Sequence, residues 1–489
     1  MRSRRVQHKF ATAVLISVLS AVTNNAAELR KQVGVPIEPI KQSASESALA
    51  TARRSDASDR DAQGNVTRLS LAEHMRRASV YMINRAFEEA RAHWEAVLRY
   101  YPTDPRVGEA LLGIGRSYFQ AKDYQDAYEV FNRLAANYSS TKEGREGLNY
   151  SAASLLRMGR FDESAARYAE YVQRFPDGER IDTAYLNVVD TLREANRPKE
   201  ALQWVTKTRQ RFAGSATEIN AIFAELRLHI AEGNWRDANS TADLLLTKQF
   251  SKAVLTSRTE VSYLKAYSLE QEGKKEEAFS AYLAVPDGTD SYYGWLATQH
   301  LSKLAGKAKA EIVAQRESRV NTSIASDADL YPAPYRAIIV KSAKSRQLDP
   351  RFVLALIRQE SVFKPTAKSP SGARGLLQLT IDAAQKYATG AGLNNVREAQ
   401  LYQPDTSIML GAEYLEQLAR MFPQMLEPVA ASYNGGEDNV ARWLKRAKRP
   451  DPGVFTSEIG FDETKGYVQK VMNNYRVYRQ LYTEDLIRR

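Results

Sequence analysis

Hydrophobic and polar positions in the first half of the chain recur with a step of 37 residues. The segments Phe87-Glu88-Glu89-Ala90, Tyr124-Gln125-Asp126-Ala127, Phe161-Asp162-Glu163-Ser164, Pro198-Lys199-Glu200-Ala201 and Trp235-Arg236-Asp237-Ala238 are each 37 apart, and Lys275-Glu276-Glu277-Ala278 follows after 40. A second landmark keeps the step: Tyr101, Tyr138, Phe175 and Phe212, then Phe250 after 38. A third, Gly159, Gly233 and Gly273, precedes the segment opening by two residues, with Asn196 in the equivalent place of another unit. Gly or Asn suits the left-handed residue that ends a helix. The pattern therefore predicts units of a helix, a tight turn and a second helix opening near a small residue. The small residue lets the helices approach, and the aromatic plugs the gap to the next unit. These residues read as solenoid core, and such arrays present concave binding surfaces.

Residues 286–328 lose the period and predict a terminal cap followed by a linker. A new unit begins at Tyr331-Pro332. Asp349-Pro350 marks a helix start, with Asp as N-cap and Pro at the first helical position. Val353, Leu356 and Ile357 share one face of this helix; the next position on that stripe is Glu360, and Phe363 continues it. A carboxylate on an apolar face costs free energy unless it is paired or neutral. Two readings follow. Desolvation raises the pKa and Glu360 holds a proton near neutrality, ready to act as a general acid; or it sits at a rim and pairs with Arg358 or Lys364.

Three further segments carry polar groups into apolar surroundings. Ser369-Pro370-Ser371-Gly372-Ala373-Arg374-Gly375-Leu376-Leu377-Gln378-Leu379 is a turn-rich loop feeding an apolar run, in which Gln378 reads either as a satisfied core amide or as a ligand contact. Ala430-Ala431-Ser432-Tyr433-Asn434-Gly435-Gly436 is a helix end breaking into a glycine turn, with Tyr433 at a cleft edge or in the core. Glu463-Thr464-Lys465-Gly466-Tyr467-Val468 opens an amphipathic helix with Tyr467, Val471, Tyr475 and Tyr478 on one side, which capping and core packing would also explain.

Composition narrows the chemistry. The 489 residues contain no Cys, which excludes structural disulfides, thiolate catalysis and Cys-ligated metals. The five His lie at 8, 74, 93, 229 and 300, so nothing after position 300 can build a His-containing triad or a His-ligated metal. Neither a metal nor another cofactor is expected. Residues 1–27 read as a signal peptide: Arg2, Arg4, Arg5 and Lys9 form a basic start, Phe10 to Val22 is mostly apolar, and Ala26 and Ala27 follow. The apolar stretch is short for a membrane span, so no transmembrane anchor is expected after cleavage. Residues 28–66 lack aromatics and read as a flexible leader. The expected organisation is signal peptide 1–27, leader 28–66, repeat solenoid 67–300, linker 301–329 and a C-terminal domain over 330–489. The net charge of +11 falls to a modest +7 without the four basic residues of segment 1–27, which suits an anionic polymer. Export and scattered charge argue against nucleic acid.

Taken together, the four C-terminal motifs resemble the soluble lytic transglycosylase family, and the N-terminal units resemble tetratricopeptide repeats. The family signature runs Glu-Ser, then Ser-x-x-Gly-Ala-x-Gly-Leu-Met-Gln, then Tyr-Asn-x-Gly, then Glu-Thr-x-x-Tyr-Val. Here it is met by Glu360-Ser361; by Ser369, Gly372, Ala373, Gly375, Leu376 and Gln378; by Tyr433, Asn434 and Gly436; and by Glu463, Thr464, Tyr467 and Val468. Leu377, Thr380 and Ile381 depart from the family's usual Leu-Met-Gln-Leu-Met-Pro, which bears on subsite contacts and leaves the acid in place. The resemblance implies a mainly α protein, a helical-repeat superhelix followed by a goose-lysozyme-like catalytic domain. It implies non-hydrolytic cleavage of the β-1,4 bond between N-acetylmuramic acid and N-acetylglucosamine in peptidoglycan, in the periplasm. Glu360 would be the single acid/base. Ser369, Gln378, Tyr433, Asn434, Glu463 and Tyr467 would hold substrate, Glu463 more by orienting the site than by donating a proton. Glycan strands are the implied partner, with a cell-wall protein on the solenoid a further expectation. Two alternatives differ in chemistry: a hydrolytic muramidase using Glu437 or Asp438 to activate water, and a non-catalytic glycan-gripping scaffold.

Overall fold

A computed structural model describes residues 44–489; the segment 1–27, read as a signal peptide, lies outside the described residues. The described chain is helical, with isolated β-bridges but no strand. No helix among the described residues is long and apolar enough to cross a membrane.

The 37-residue period is a period of helix starts. Phe87–Tyr100, Tyr124–Asn137, Phe161–Arg174, Pro198–Arg211, Trp235–Leu246 and Lys275–Ala284 each open on the first residue of a landmark segment. The small residue three places on, Ala90, Ala127, Ser164, Ala201, Ala238 or Ala278, is wholly buried in every unit. Ser164 is accommodated because its hydroxyl donates to the Ala152 carbonyl of the preceding helix at 2.7 Å. Tyr101, Tyr138, Phe175 and Phe212 are the C-cap residues of their helices. The turn residue two places before each start is left-handed in all six units: Gly159, Gly233, Gly273 and Asn196, and also Arg85 and Lys122, which residue type alone did not mark.

The described residues form two compact units. One, the repeat unit, comprises residues 44–323 together with Leu415–Arg476; the other, the acid-helix unit, comprises Ile324–Tyr414 and Val477–Arg489. This differs from the division at residue 330 read from the motifs. Ion pairs draw residues 415–476 into the repeat unit. Glu458 is 1% exposed and is enclosed by Arg193, Arg227 and Arg446. Glu194 takes Arg442 at 2.9 Å and Arg446 at 3.3 Å. Lys465 meets Glu260 at 3.0 Å, and Arg476 meets Asp287 at 2.7 Å. Buried charges persist only when paired and hydrogen-bonded, so each pair holds its two segments in one arrangement.

The stretches read as flexible leader and as linker each contain a helix. Ala44–Ser58 falls inside the leader read as flexible. Its Asp56 is buried and accepts from the Arg77 guanidinium, the Tyr81 hydroxyl and His93 Nε2. Gly306–Ser326 occupies the expected linker, and its Arg316 donates to the Thr298 hydroxyl and the Val285 carbonyl at 2.7 and 2.6 Å. In both, the ordering contact is one polar side chain satisfied by distant partners, a signal that hydropathy does not carry.

The acid-helix unit is built on Pro350–Ser361. Asp349 caps it, its carboxylate accepting from the Arg351 amide at 2.9 Å, with Pro350 at the first position. Phe352 to Ile357 are all buried, so the helix is apolar on every side and runs through the core rather than along its surface. Tyr478 and Tyr482 donate to the carbonyls of Pro332 and Tyr331 at 3.1 and 2.8 Å, fastening the C-terminal turns to the start of this unit.

Candidate active site

Glu360 lies in the last turn of the buried helix, where the chain emerges: Ile357 is enclosed, and Arg358, Gln359 and Glu360 are half-buried. Arg358 donates to the Leu330 carbonyl and covers the Tyr331 ring at 4.0 Å. Ser361 is buried and donates back to the Ile357 carbonyl at 3.1 Å. The helix stops on two successive left-handed residues, Val362 at φ 50° and Phe363 at φ 62°. A β-branched residue pays about 1–3 kcal/mol to stand there, and Val362 does so while exposed. Strain of this kind concentrates at functional sites, and here it adjoins the one acid that the apolar stripe carries.

In the same unit, Ser369 and Gln378 tie the loop between them. The Ser369 hydroxyl accepts from the Ala373 amide at 3.0 Å and lies 2.8 Å from the Ser371 hydroxyl. Gln378, left-handed at φ 46°, donates its amide nitrogen to the carbonyls of Ala367 and Gly375 at 3.1 and 2.9 Å. Gly375 is required twice over: its φ is +78°, and a Cβ there would stand 1.9 Å from the Leu401 carbonyl oxygen. Gln378 is half-buried, and its nitrogen is engaged by its own loop.

The other sequence-derived residues belong to the repeat unit. Tyr433 is half-buried and Asn434 exposed, at the end of the helix Leu426–Gly435. Gly436, at φ 84° and ψ 144°, then turns the chain into the helix Glu437–Ala447. Glu463 is exposed in the first turn of Asp462–Leu481. Thr464 beside it is buried and donates to Asn434 Oδ1 at 2.6 Å, which joins the third motif to the fourth. Gly435 permits that approach, because a Cβ at 435 would stand 2.9 Å from the Thr464 hydroxyl. Tyr467 is 7% exposed and shares its stripe with the buried Val471, Tyr475 and Tyr478. Glu437 and Asp438 open their helix, where the macrodipole favours carboxylates, and Asp438 lies 3.6 Å from the Lys122 ammonium in an exposed pair.

The ion lattice around Glu458 lies outside both the repeat landmarks and the four C-terminal motifs. Arg193 and Arg227, which meet it, stand on repeat helices at positions that none of the three landmarks marks. Among the described residues no group of three or more His, Asp or Glu is arranged to hold a metal.

Comparisons with known proteins agree with these elements. The family model described as Transglycosylase SLT domain matches residues 337–455, and that described as Tetratricopeptide repeat matches 75–140 and 152–216. The chain is 32% identical over 151 residues to the soluble lytic murein transglycosylase of Salmonella typhimurium, and 32% identical over 153 residues to that of Escherichia coli. Each alignment covers 30% of this chain and 23% of the relative, so the chain matches about a quarter of the length of these relatives. Among solved structures, an inactive Glu-to-Gln mutant of the lytic transglycosylase Slt from Pseudomonas aeruginosa is similar in fold. Its TM-score is 0.50 at 20% identity, over 89% of this chain and 86% of that one. The chain is thus a mainly α protein with tetratricopeptide repeats and an SLT domain.

Proposed function

We propose that the protein is a peptidoglycan lytic transglycosylase that cleaves the MurNAc-β-1,4-GlcNAc bond without water. The observation that carries this reading is Glu360, half-buried at the mouth of an apolar helix and followed by strained backbone, inside the segment that matches the SLT domain.

In the proposed reaction the Glu360 carboxyl protonates the leaving glycosidic oxygen and the bond from that oxygen to C1 breaks. The substrate's own acetamido oxygen stabilises the cationic C1, which removes the need for a second carboxylate. Glu360, now a carboxylate, takes the proton from the C6 hydroxyl, and O6 closes onto C1. The product is a 1,6-anhydromuramoyl end and the acid is restored. Ser369 and Gln378 would shape the loop beside the acid; Tyr433 and Asn434 would meet sugar substituents, with Glu463 and Tyr467 orienting them. Glycan strands are the substrate, and the exported, periplasmic setting follows from the basic and apolar segment 1–27. The solenoid would guide strands or a wall-bound protein.

Mass spectrometry of the products from purified sacculi tests the reading. Wild type should release anhydro ends and Glu360→Gln should lose about 100-fold or more in rate. Reducible ends would instead indicate a hydrolase. Equal release by wild type and Glu360→Gln would indicate a scaffold that grips glycan without cutting it.

A further inference from the structure

The repeats reach the Tyr433–Gly436 turn through one buried amide. Arg157 is the last residue of the repeat helix Lys142–Arg157, and its guanidinium donates to Asn439 Oδ1. Arg442 donates to the same oxygen at 2.8 Å and is itself held by Glu194, at the end of another repeat helix, at 2.9 Å. With Oδ1 committed to two guanidinium groups, the Asn439 amide can point only one way. Its Nδ2 donates to the Gly435 carbonyl at 2.7 Å. Gly435 is the residue packed on Thr464, and Thr464 holds Asn434. The Arg157 guanidinium also stands 6.0 Å from the centre of the Phe461 ring, two residues before Glu463. One repeat side chain therefore holds the amide that supports one motif and stands near the residue that precedes the other.

We infer that Arg157 and Asn439 are positioning residues for the reaction proposed above: the repeats orient Asn439, and Asn439 fixes the Gly435 carbonyl and with it the turn bearing Tyr433 and Asn434. The solenoid is then part of the catalytic apparatus as well as a surface for partners. The inference rests on the proposed activity for its consequence in rate, but its mechanical part stands on the geometry alone.

Asn439→Asp separates positioning from simple stability. The carboxylate keeps, and strengthens, the bonds from Arg157 and Arg442, but it cannot donate to the Gly435 carbonyl. The thermal midpoint should hold or rise, while kcat/KM on solubilised glycan strands falls about tenfold or more, since small misplacements of substrate-holding groups are costly in rate. Arg157→Met should lower kcat/KM in the same sense, and the double variant should be little worse than Asn439→Asp alone, because the two act through one bond. Amide exchange gives a second readout that needs no activity: the Gly436 amide, bonded to the Ser432 carbonyl at 2.9 Å, should exchange faster in both variants. Faster exchange in an Asn439→Asp protein of undiminished thermal midpoint supports the inference even if wild type releases no product, in which case only the proposed activity fails. An active wild type whose Asn439→Asp variant matches it within twofold in kcat/KM, with unchanged exchange at Gly436, overturns the inference.

Discussion

Thr464 donates its hydroxyl to Asn434 Oδ1 at 2.6 Å, a bond between residues 30 apart that joins two of the four candidate motifs. The donor is buried and the acceptor exposed, so the bond points an otherwise free amide in one direction. Thr464→Val keeps the shape and removes the donor. Water can replace it at Asn434, so the loss of stability should be about 1 kcal/mol. In the proposed reaction the loss of rate should exceed what that figure implies, because the amide is then free to turn. Equal kcat in both proteins would show that the orientation of Asn434 is immaterial.

Gly375→Ala should be far more damaging than a methyl group suggests. The new Cβ would meet the Leu401 carbonyl oxygen at 1.9 Å from a backbone at φ +78°. Neither the carbonyl nor the strained loop can relax cheaply, and a loss of about 3 kcal/mol or more is expected. Denaturant unfolding measures it, and a loss below about 1 kcal/mol would mean that the loop between Ser369 and Gln378 can adopt another path.

Glu458→Ala should destabilise the repeat unit by about 3–5 kcal/mol, since it strands the buried guanidinium groups of Arg193, Arg227 and Arg446 without their carboxylate. Glu458→Gln keeps the volume and should cost less. Thermal melts of the full chain distinguish the two. If Glu458→Ala melts with the wild type, the lattice does not hold residues 415–476 to the repeats.

Stability should fall in two steps as pH rises. Burial lifts the Glu427 carboxyl to about 7, against Tyr292, whose hydroxyl donates to it at 3.3 Å. Because its folded value lies above the unfolded one, its contribution is complete below about 4.5 and is lost as pH passes 7. His300 behaves similarly in a higher window. Burial pushes it down, but hydrogen bonds to Asp451 and Glu270 outweigh that and hold it up at about 9. Its stabilisation is complete below about 6.5 and lost through 9. Each step amounts to roughly 3 kcal/mol at most. Midpoints measured against pH should show both limbs in wild type, and only the upper limb in Glu427→Gln. A Glu427→Gln profile that overlays the wild type would place the lower limb elsewhere.

The sequence by itself determined the repeats and the acid helix, because both rest on local spacing. A helix start every 37 residues, a wholly buried small residue three places on, and a left-handed turn two places before are relations between near neighbours, repeated until they are unmistakable. The cap at Asp349 and the apolar run to Ile357 are equally local, and so is the anomaly of Glu360 on their stripe. Tertiary structure alone decided what the polar side chains do. Asp56 orders a helix in the supposed leader because Arg77, Tyr81 and His93 converge on it. Glu458 draws the residues around it into the repeat unit across 265 positions from Arg193. Ser369 and Gln378, read as substrate contacts, also staple their own loop. Apolar burial imprints a period on the chain, whereas a buried charge or amide needs one particular partner, and nothing in the spacing of residues says where along the sequence that partner will be found.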